Sequence, residues 1–530
     1  TLSRTRTPQP NHPRSRVIGR LRPESNTAAL IARAAGSTVS GLFGDRVRTG
    51  PEAIALTDGD HQLSYRLLDE RINRLVSLLD SRGVGHGSRI AVFSENRIEY
   101  LEIILAAARA GAIVACQNWR LAPAELSHCL QLAEPALVFV SPRYRDGLAA
   151  AGCTLPAIEL GEAYQALVAQ SDPHPHPEAA VPEDPLLLLY TSGTTGLPKG
   201  ALISHRAEVA RNIVVCAEFG IRPGDAFPAW SPLYHMGATE VSLCTLMNGG
   251  KVIVVNGFDV PRLADLVAEE RIGWLLIMPG MVEAFAEELE QRGVVPRGIR
   301  LCGVMADLVP PHLIARITKL LNAPYANTFG ATETGCPPCS SNQIPVGISP
   351  DRLSKTQSPF CEVRLVDAAD DDVPNGTPGE LAMRGPTLFS GYWRNDEANR
   401  RDFRGGWFHM GDVFVRNPDG TLDFVDRVKY LIKSGGENIY PAEIERVLLS
   451  DPGVADAAVV RQKDERWGEV PVAFVARCED ALTETMLLAR CREELAGFKQ
   501  PKAIHFIALG DFPRSASGKI QRHSLEERLA

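Results

Sequence analysis

The 530-residue sequence lacks any apolar run that approaches the roughly 20 residues needed to span a bilayer, so no membrane span is expected. It also lacks an excess of positive charge, and its formal net charge of −8 argues against a general nucleic-acid-binding protein. Its 11 cysteines are scattered rather than spaced as a disulfide framework, which fits a reducing cytosol. Together these absences favour a cytoplasmic protein with no nucleic-acid partner.

The remaining composition is typical of a globular protein, with 45% hydrophobic and 23% charged residues. A chain of this length exceeds what one hydrophobic core can organise, so two or more domains are expected. The beginning of the sequence is rich in arginine and free of acidic residues through Pro23. We interpret residues 1–40 as a basic N-terminal arm, with a transit peptide as the alternative.

The hydrophobic pattern predicts an α/β fold. Helical spacing over Leu67–Leu79 is followed by a strand at Ile90–Ser94 and a helix at Glu99–Ala110, and the alternation then continues. From about Glu362 short β-like pieces predominate, and a compact module of strands and helices follows residue 426. We therefore expect a large N-terminal domain, residues 41–428, made of two βαβ-type sheet subdomains plus a small β subdomain. A smaller α+β C-terminal domain should occupy residues 429–530.

The most informative segment is Tyr190–Gly200, which reads YTSGTTGLPKG and follows an apolar run. A buried strand leading into a glycine- and hydroxyl-rich loop offers N–H groups and hydroxyls to phosphate oxygens. The loop fails the Walker A pattern, because Pro198 precedes Lys199 and Gly200 follows it. The segment predicts a nucleotide triphosphate site outside the P-loop ATPases, with an ordinary strand-to-helix turn as the alternative.

Several other strings carry candidate chemistry. Asn327–Gly335, which reads NTFGATETG, sets a hydroxyl beside a carboxylate, an arrangement suited to phosphate and Mg²⁺. Asp412 follows a glycine, and its two carboxylate oxygens could accept hydrogen bonds from ribose hydroxyls. The alternative is a plain β-turn. His235 is either a core histidine or part of a site. The cysteines of Cys336–Cys339 are assigned to loop packing, with metal or redox chemistry as the alternative.

Two further strings are more specific: Asp426–Glu445, which contains DRVKYLIKSGGENIYPAEIE, and Pro513–Arg522, which reads PRSASGKIQR. Taken together and in this order, all these strings resemble the adenylate-forming superfamily. That superfamily contains acyl- and aryl-CoA synthetases, firefly luciferase and the adenylation domains of peptide synthetases. The resemblance runs from about residue 40 to the end of the sequence.

The resemblance implies roles for the residues at matching positions. The ATP site would comprise Thr191, Ser192, Gly193, Thr194, Thr195, Lys199, Asn327, Thr328, Phe329, Gly330, Thr332, Asp412, Arg427 and Lys519. Within it, Thr332 would contact the α-phosphate, and Asn327–Phe329 would lie along the adenine. Glu333 and Thr191 would hold Mg²⁺. Catalysis would depend on Lys519, Glu333, Thr191, His235 and Lys429. Lys519 would bridge the carboxylate and the α-phosphate, and Lys429 would be the hinge of a mobile C-terminal domain.

The resemblance also implies sites for the other two substrates. Coenzyme A would contact Gly435, Gly436, Trp467, Lys499 and Lys502, with Trp467 stacking on its adenine. The acyl pocket would be formed by His235, Val304, Met305, Gly330 and Gly335. A tryptophan at the position of Gly330 closes this pocket in acetate-specific relatives. Glycine is therefore expected to leave an open channel for a bulky apolar acid, either medium- or long-chain or aromatic or alicyclic.

The sequence departs from the family pattern in three places. Val304 and Met305 stand where relatives carry glycines, and Ser354–Pro359 lacks the usual glycine. Met410 replaces a threonine. None of these changes removes a charged catalytic group, but they are expected to reshape the acyl pocket or alter nucleotide affinity.

The expected function is an AMP-forming carboxylic acid:CoA ligase. A carboxylate and MgATP would form acyl-AMP and pyrophosphate, and coenzyme A would then form the thioester after rotation of the C-terminal domain. One alternative is an adenylating ligase that loads a carrier protein, against which Trp467 and the basic string near Lys502 argue. Another is a non-catalytic acyl-nucleotide-binding protein. The expected partner is a small-molecule carboxylate, and a homodimer is one expectation for the assembly.

Overall fold

The computed structural model describes residues 27, 31, 34–59, 61–191, 197–435, 437–478, 481–514 and 520–529. The basic arm predicted at residues 1–40 lies mostly outside them. The α-helices of the described chain are Val39–Thr49, Tyr65–Ser81, Ile98–Ala110, Pro123–Ala133, Arg145–Ala150, Glu162–Gln170, His205–Phe219, Met236–Met247, Val260–Glu269, Val282–Arg292, Pro311–Leu321, Asp396–Asp402, Pro441–Leu449, Glu484–Glu494 and Arg522–Glu526. In this described part no helix is both long and apolar enough to cross a membrane.

The first sheet has six strands and ends at the predicted phosphate loop. In spatial order its strands are Ala157–Glu159, Leu137–Val140, Arg89–Phe93, Ile113–Cys116, Pro185–Thr191 and Lys199–Ser204. All neighbouring pairs are parallel except the last, which is antiparallel. The apolar run at residues 186–189 is fully buried, as expected for a parallel strand covered on both faces. This strand therefore holds the phosphate loop on a rigid base.

The second sheet has eight strands. In spatial order they are Gln343–Ile344, Tyr325–Ala326, Ile299–Cys302, Ile272–Leu275, Ala226–Ala229, Lys251–Val254, Ile54–Asp58 and His61–Ser64. The interior pairs are parallel, and the two outermost pairs are antiparallel. The two predicted βαβ-type blocks are thus confirmed.

Local sequence explains where the helices begin and end. Helix Tyr65–Ser81 starts after Ser64, whose hydroxyl accepts the Leu67 N–H at 3.2 Å. Helix Ile98–Ala110 ends at Gly111, which has a left-handed φ of 69°. The helices predicted at Leu67–Leu79 and Glu99–Ala110 are confirmed within two residues at each end.

The β-rich region forms a four-stranded antiparallel sheet. Its strands are Glu362–Val366, Pro378–Arg384, Phe408–Arg416 and Leu422–Arg427. A separate hairpin pairs Phe329–Ala331 with Gly335–Cys339, so the two cysteines of the predicted loop lie in a strand. Burial raises the pKa of Cys339 to about 12, which keeps its thiol protonated and agrees with a packing role.

The C-terminal residues build their own sheet and core. Its strands are Glu437–Ile439, Ile432–Ser434, Gly468–Arg477 and Val454–Asp464, and Ile504–Phe506 pairs in parallel with Gly468–Arg477. The main hydrophobic core takes residues from Val39 to Leu422, whereas a separate cluster runs from Ile432 to Ile504. The expected fold class, a large N-terminal α/β domain followed by a smaller α+β domain, is confirmed.

Candidate active site

The predicted phosphate, ribose and carboxylate-binding residues meet around one cavity of about 950 Å³. It is lined by residues of the six-stranded sheet, the hairpin, the four-stranded sheet and the C-terminal module. Among the described lining residues, seven lysine and arginine side chains stand against five aspartates and glutamates. A cleft with excess positive charge attracts an anionic ligand such as a nucleotide.

Thr191 and Lys199 define the phosphate side of the cavity. They face each other across the antiparallel pair that bounds the loop, and both line the cavity. The Lys199 ammonium lies 3.9 Å from an Asp402 carboxylate oxygen and 4.4 Å from the ring centre of Tyr392. Burial lowers the pKa of Lys199 below its ordinary value. The predicted phosphate contacts Ser192, Gly193, Thr194 and Thr195 lie outside the described residues.

Thr332 and Glu333 line the cavity beside this loop. One Glu333 carboxylate oxygen accepts the Tyr392 hydroxyl at 2.9 Å, and the Glu333 carbonyl accepts the Phe389 N–H at 2.9 Å. Among the described residues no group of three or more His, Cys, Asp or Glu side chains could hold a metal ion. Any divalent ion here must therefore complete its coordination with oxygens of a ligand or of water, as Mg²⁺ does with nucleotides.

Asp412 and Arg427 form the ribose side that the sequence predicts. They lie opposite each other on neighbouring strands, and Arg427 Nε is 3.1 Å from Asp412 Oδ1. Asp412 is buried, whereas the Arg427 side chain is 39% exposed toward solvent. The lining continues to Lys429, the predicted hinge, whose carbonyl accepts an Arg461 N–H at 2.9 Å.

Residues of the C-terminal module also line the cavity. Lys519 itself lies outside the described residues. Arg514 and Gln521, the described lining residues on either side of that segment, both face the cavity. The backbone at Arg514 and Ile520 is paired by an antiparallel bridge.

The predicted adenine segment sits behind the cavity lining. Asn327, Thr328 and Phe329 are not among the lining residues, and Asn327 is buried. The Asn327 Nδ2 donates to the Ser354 carbonyl at 3.1 Å, and its Oδ1 accepts from Lys355 Nζ at 2.7 Å. The Phe329 ring packs on two other phenylalanine rings. Both polar atoms of the Asn327 side chain are thus hydrogen-bonded within the protein, so any contact of Asn327 with adenine would come from its backbone.

Lys355 connects the two longest departures from the family pattern. It is fully buried, and its Nζ lies 2.7 Å from Asp307 Oδ2 as well as 2.7 Å from Asn327 Oδ1. Asp307 lies two residues after Met305, and Lys355 belongs to Ser354–Pro359. A buried ammonium requires such partners. One ion pair therefore joins the two segments, and neither motif alone reports it.

The acyl-pocket residues are only partly brought together. His235 and Gly330 line the cavity, whereas Gly335, Val304 and Met305 do not. A Cβ at Gly330 would overlap the carbonyl oxygen of Gly335, so this glycine is required by the close approach of two backbone segments. The open channel expected at Gly330 stays a prediction. Met305 has a left-handed φ of 50° and an exposed side chain.

The predicted coenzyme A residues lie away from the cavity. Gly435, Trp467, Lys499 and Lys502 are described and do not line it, and Gly436 lies outside the described residues. Trp467 is 40% exposed, and its carbonyl accepts the Gly435 N–H at 2.8 Å. The Lys499 ammonium is 2.8 Å from both carboxylate oxygens of Glu443. In this conformation Gly435 and Trp467 form one surface that is separate from the cavity.

Arg211 is an important residue that the sequence motifs did not single out. It is buried on helix His205–Phe219, pairs with Glu240, and donates to the carbonyls of Thr332 at 3.1 Å and Thr387 at 2.9 Å. Burial raises the pKa of the neighbouring Glu208 to about 8, repulsion from Glu240 adds to the effect, and Arg211 opposes it. An arginine at a helix position gives no local sequence signal for a contact more than 100 residues away.

Comparisons with known proteins agree with this geometry. Residues 43–393 match the AMP-binding enzyme family, and residues 443–519 match the AMP-binding enzyme C-terminal domain. The chain is 34% identical over 494 residues to a feruloyl-CoA synthase of Amycolatopsis sp., covering 91% of this chain and 97% of the relative. It is also 34% identical over 501 residues to an indoleacetate–CoA ligase of Aromatoleum aromaticum, covering 91% and 96%.

A solved structure adds to this result. O-succinylbenzoate coenzyme A synthetase from Bacillus subtilis, in complex with ATP and magnesium ion, aligns with a TM-score of 0.79 and 25% identity over 91% of this chain and 98% of that one. The chain belongs to the AMP-binding enzyme family, and it is an AMP-forming acyl-CoA ligase.

Proposed function

We propose that this enzyme joins an aromatic carboxylic acid to coenzyme A, using ATP and releasing AMP and pyrophosphate. One observation carries the proposal: Thr191 and Lys199, Glu333, and Asp412 with Arg427 all line a single cavity. This cavity therefore offers a phosphate loop, a carboxylate and a ribose-binding pair at once. Its positive lining suits a triphosphate and an acid substrate.

In the first half-reaction a carboxylate oxygen attacks the α-phosphorus, and the bond from that phosphorus to pyrophosphate breaks. Lys199 and its loop bind the departing phosphates, and Thr332 contacts the α-phosphate. Asp412 accepts hydrogen bonds from the ribose hydroxyls. Lys519 stabilises the charge that develops when two anions meet, as fixed cations do in phosphoryl transfer.

The cavity also fits a divalent ion bound through the nucleotide. Glu333 presents its carboxylate to the cavity, with Thr191 on the same lining, and Mg²⁺ prefers oxygen ligands of this kind. When bound, Mg²⁺ would offset the negative charge of the phosphates. Glu333 and Thr191 would hold it and thereby orient the nucleotide.

In the second half-reaction the thiol of coenzyme A attacks the acyl carbon, and AMP leaves. The separate surface formed by Gly435 and Trp467 supports a rotation about Lys429 that brings these residues to the cavity. Lys502 and Lys499 would then meet the coenzyme A phosphates, after Lys499 leaves Glu443. Residues 41–428 and 429–530 would be the two moving units.

The aromatic substrate class is supported by the relatives, which are named for feruloyl and indoleacetate substrates, and by the ring of His235 at the cavity wall. A small-molecule carboxylate is therefore the expected partner. A homodimer, a cytosolic location and the absence of a nucleic-acid partner remain predictions.

The deciding experiment measures pyrophosphate release and acyl-CoA formation over hydroxycinnamic, indolic, benzoic and aliphatic acids, with and without coenzyme A. We expect the highest kcat/KM for bicyclic or substituted aryl acids and acyl-CoA only when coenzyme A is present. Turnover with a carrier protein in place of coenzyme A would support the carrier-loading alternative. Tight ATP binding with no pyrophosphate release for any acid would support the non-catalytic alternative.

A further inference from the structure

Tyr392 contacts both charged groups on the phosphate side of the cavity. Its hydroxyl donates to Glu333 Oε1 at 2.9 Å, and the Lys199 ammonium lies 4.4 Å from its ring centre. Its side chain lines the cavity while the residue as a whole is only 7% exposed. One side chain therefore lies between the carboxylate suited to a divalent ion and the ammonium suited to a phosphate.

The backbone holds Tyr392 firmly in this place. Its N–H donates to Asn399 Oδ1 at 2.7 Å, and its carbonyl accepts from Asn399 Nδ2 at 2.9 Å. The Trp393 N–H donates to the Gly200 carbonyl at 2.8 Å, directly beside Lys199. Hydrogen bonds to the backbone of Tyr392 and of Trp393 thus fix this segment beside the strand Lys199–Ser204.

The hydroxyl of Tyr392 stays protonated and keeps its role as a donor. A tyrosine phenol has an ordinary pKa of about 10 and is therefore neutral near pH 7. A neutral phenol can donate to one carboxylate oxygen and leave the other for a cation. Partners that orient a metal-binding carboxylate in this way strongly affect metal affinity.

We propose that Tyr392 is a positioning residue that orients Glu333 toward the divalent ion and Lys199 toward the nucleotide phosphates. The inference rests on the proposed function for the roles of those two residues. Its hydroxyl and its ring have separate tasks. Removing the hydroxyl should affect the ion, and removing the ring should affect the phosphates as well.

The test uses the full-length enzyme with Mn²⁺ as the probe ion and a non-hydrolysable α,β-methylene ATP analogue. Binding of Mn²⁺ to the enzyme–analogue complex is followed by electron paramagnetic resonance, and metal-free analogue binding by calorimetry. For Tyr392→Phe we expect about tenfold weaker Mn²⁺ binding with unchanged metal-free binding. For Tyr392→Leu we expect, in addition, about fivefold weaker metal-free binding, because the cation–π contact is lost.

Tyr164→Phe is the matched control. Tyr164 is fully buried and its hydroxyl donates to Glu102 at 2.8 Å, so it loses the same kind of bond far from the cavity lining. We expect this variant to bind Mn²⁺ and the analogue as the wild type does. If Tyr392→Phe melts at a temperature similar to that of the control, a general folding defect does not explain its Mn²⁺ binding.

A double variant tests whether the Tyr392 hydroxyl acts through Glu333. In a Glu333→Gln background, adding Tyr392→Phe should change Mn²⁺ binding no further, because the hydroxyl acts through that carboxylate. Equal Mn²⁺ affinity of Tyr392→Phe and wild type, or an undiminished effect in the Gln background, would overturn the proposal. Failure of the proposed function has a different signature: wild-type enzyme would bind the Mn²⁺–analogue complex yet release no pyrophosphate from ATP with any acid.

Discussion

The residues predicted to bind the nucleotide are gathered around one cavity, whereas those predicted to bind coenzyme A are not. On the nucleotide side Thr191, Lys199, Glu333, Asp412 and Arg427 already share one cavity. On the coenzyme A side Trp467 is exposed and Lys499 is paired with Glu443. The first group is built mainly on rigid sheets of the large domain, and the second lies on the smaller module. This difference is what the proposed mechanism expects if the two groups use one cavity in turn.

Lys519→Ala should separate the two half-reactions most strongly. The variant should lose acyl-AMP formation by at least about 10²-fold, because a fixed cation at the developing charge is removed. It should keep thioester formation from supplied acyl-AMP, since Lys519 would then be away from the cavity. Pyrophosphate release and thioester formation are measured separately, with Lys319→Ala as the control. Equal loss of both half-reactions would contradict alternate use of one cavity.

Lys355→Met tests how much the buried polar contacts behind the predicted nucleotide site contribute to stability. The change leaves Asp307 and Asn327 without their shared partner and should lower the free energy of unfolding by about 2 kcal/mol. Urea denaturation measures the effect. The control Lys251→Met removes a partly exposed pair with Glu270 and should cost less than about 1 kcal/mol. If the two variants lost equal free energies of unfolding, the buried Lys355 contacts would contribute no more than a partly exposed ion pair.

Trp467→Ala tests the other side. If the ring stacks on the coenzyme A base, KM for coenzyme A should rise about tenfold. Coenzyme A-independent pyrophosphate release should remain as in the wild type, because Trp467 does not line the cavity. Trp407→Ala is a suitable control, since that ring packs against two arginines on the four-stranded sheet. A matching decline in pyrophosphate release would place Trp467 in the first half-reaction.

The smallest effect concerns the buried charges behind Thr332. The pKa of Glu208 is raised from 4.5 to about 8 in the folded chain, so the folded state binds the extra proton. Its contribution to stability is present below pH 4.5 and is lost as pH rises through 8. The free energy of unfolding of the wild type should therefore fall by about 1 kcal/mol between pH 6 and pH 7, and Glu208→Gln should remove this fall. Denaturation at several pH values measures this, with the exposed Glu283→Gln as control. If Glu208→Gln and the wild type had the same pH profile of stability, Glu208 would not be the titrating group.

Sequence pattern predicted most of the fold because its signals are local. The helix at Leu67–Leu79 follows from apolar spacing and a serine cap, and the strand before the phosphate loop follows from four consecutive leucines. Boundaries of short strands were less accurate. The pattern predicts a strand at Ile90–Ser94, whereas the structure has Arg89–Phe93, because an apolar run does not mark where pairing stops.

The site was predictable where roles belong to motifs and not where they depend on packing. Lys199, Glu333, Asp412 and Arg427 reach the cavity as expected. Gly330 also reaches the cavity, but its close approach to the Gly335 carbonyl depends on packing that no motif reports. Contacts such as Arg211 with Thr332, and Lys355 with Asp307, join distant segments, so no local pattern reports them. The same holds for Tyr392, whose two partners lie 59 and 193 residues before it.

Asp426 connects the two units of the molecule. One of its carboxylate oxygens accepts the Arg427 N–H at 2.7 Å, and the other accepts the Ala442 N–H of helix Pro441–Leu449 at 2.8 Å. A rotation about Lys429 that carries this helix away would leave a buried carboxylate oxygen without its donor. Charged hydrogen bonds of this kind contribute about 1.5–3 kcal/mol, equivalent to a roughly ten- to hundredfold population bias. We therefore expect a resting enzyme that is poised for the acid and ATP, and an ordered kinetic scheme in which coenzyme A binds last.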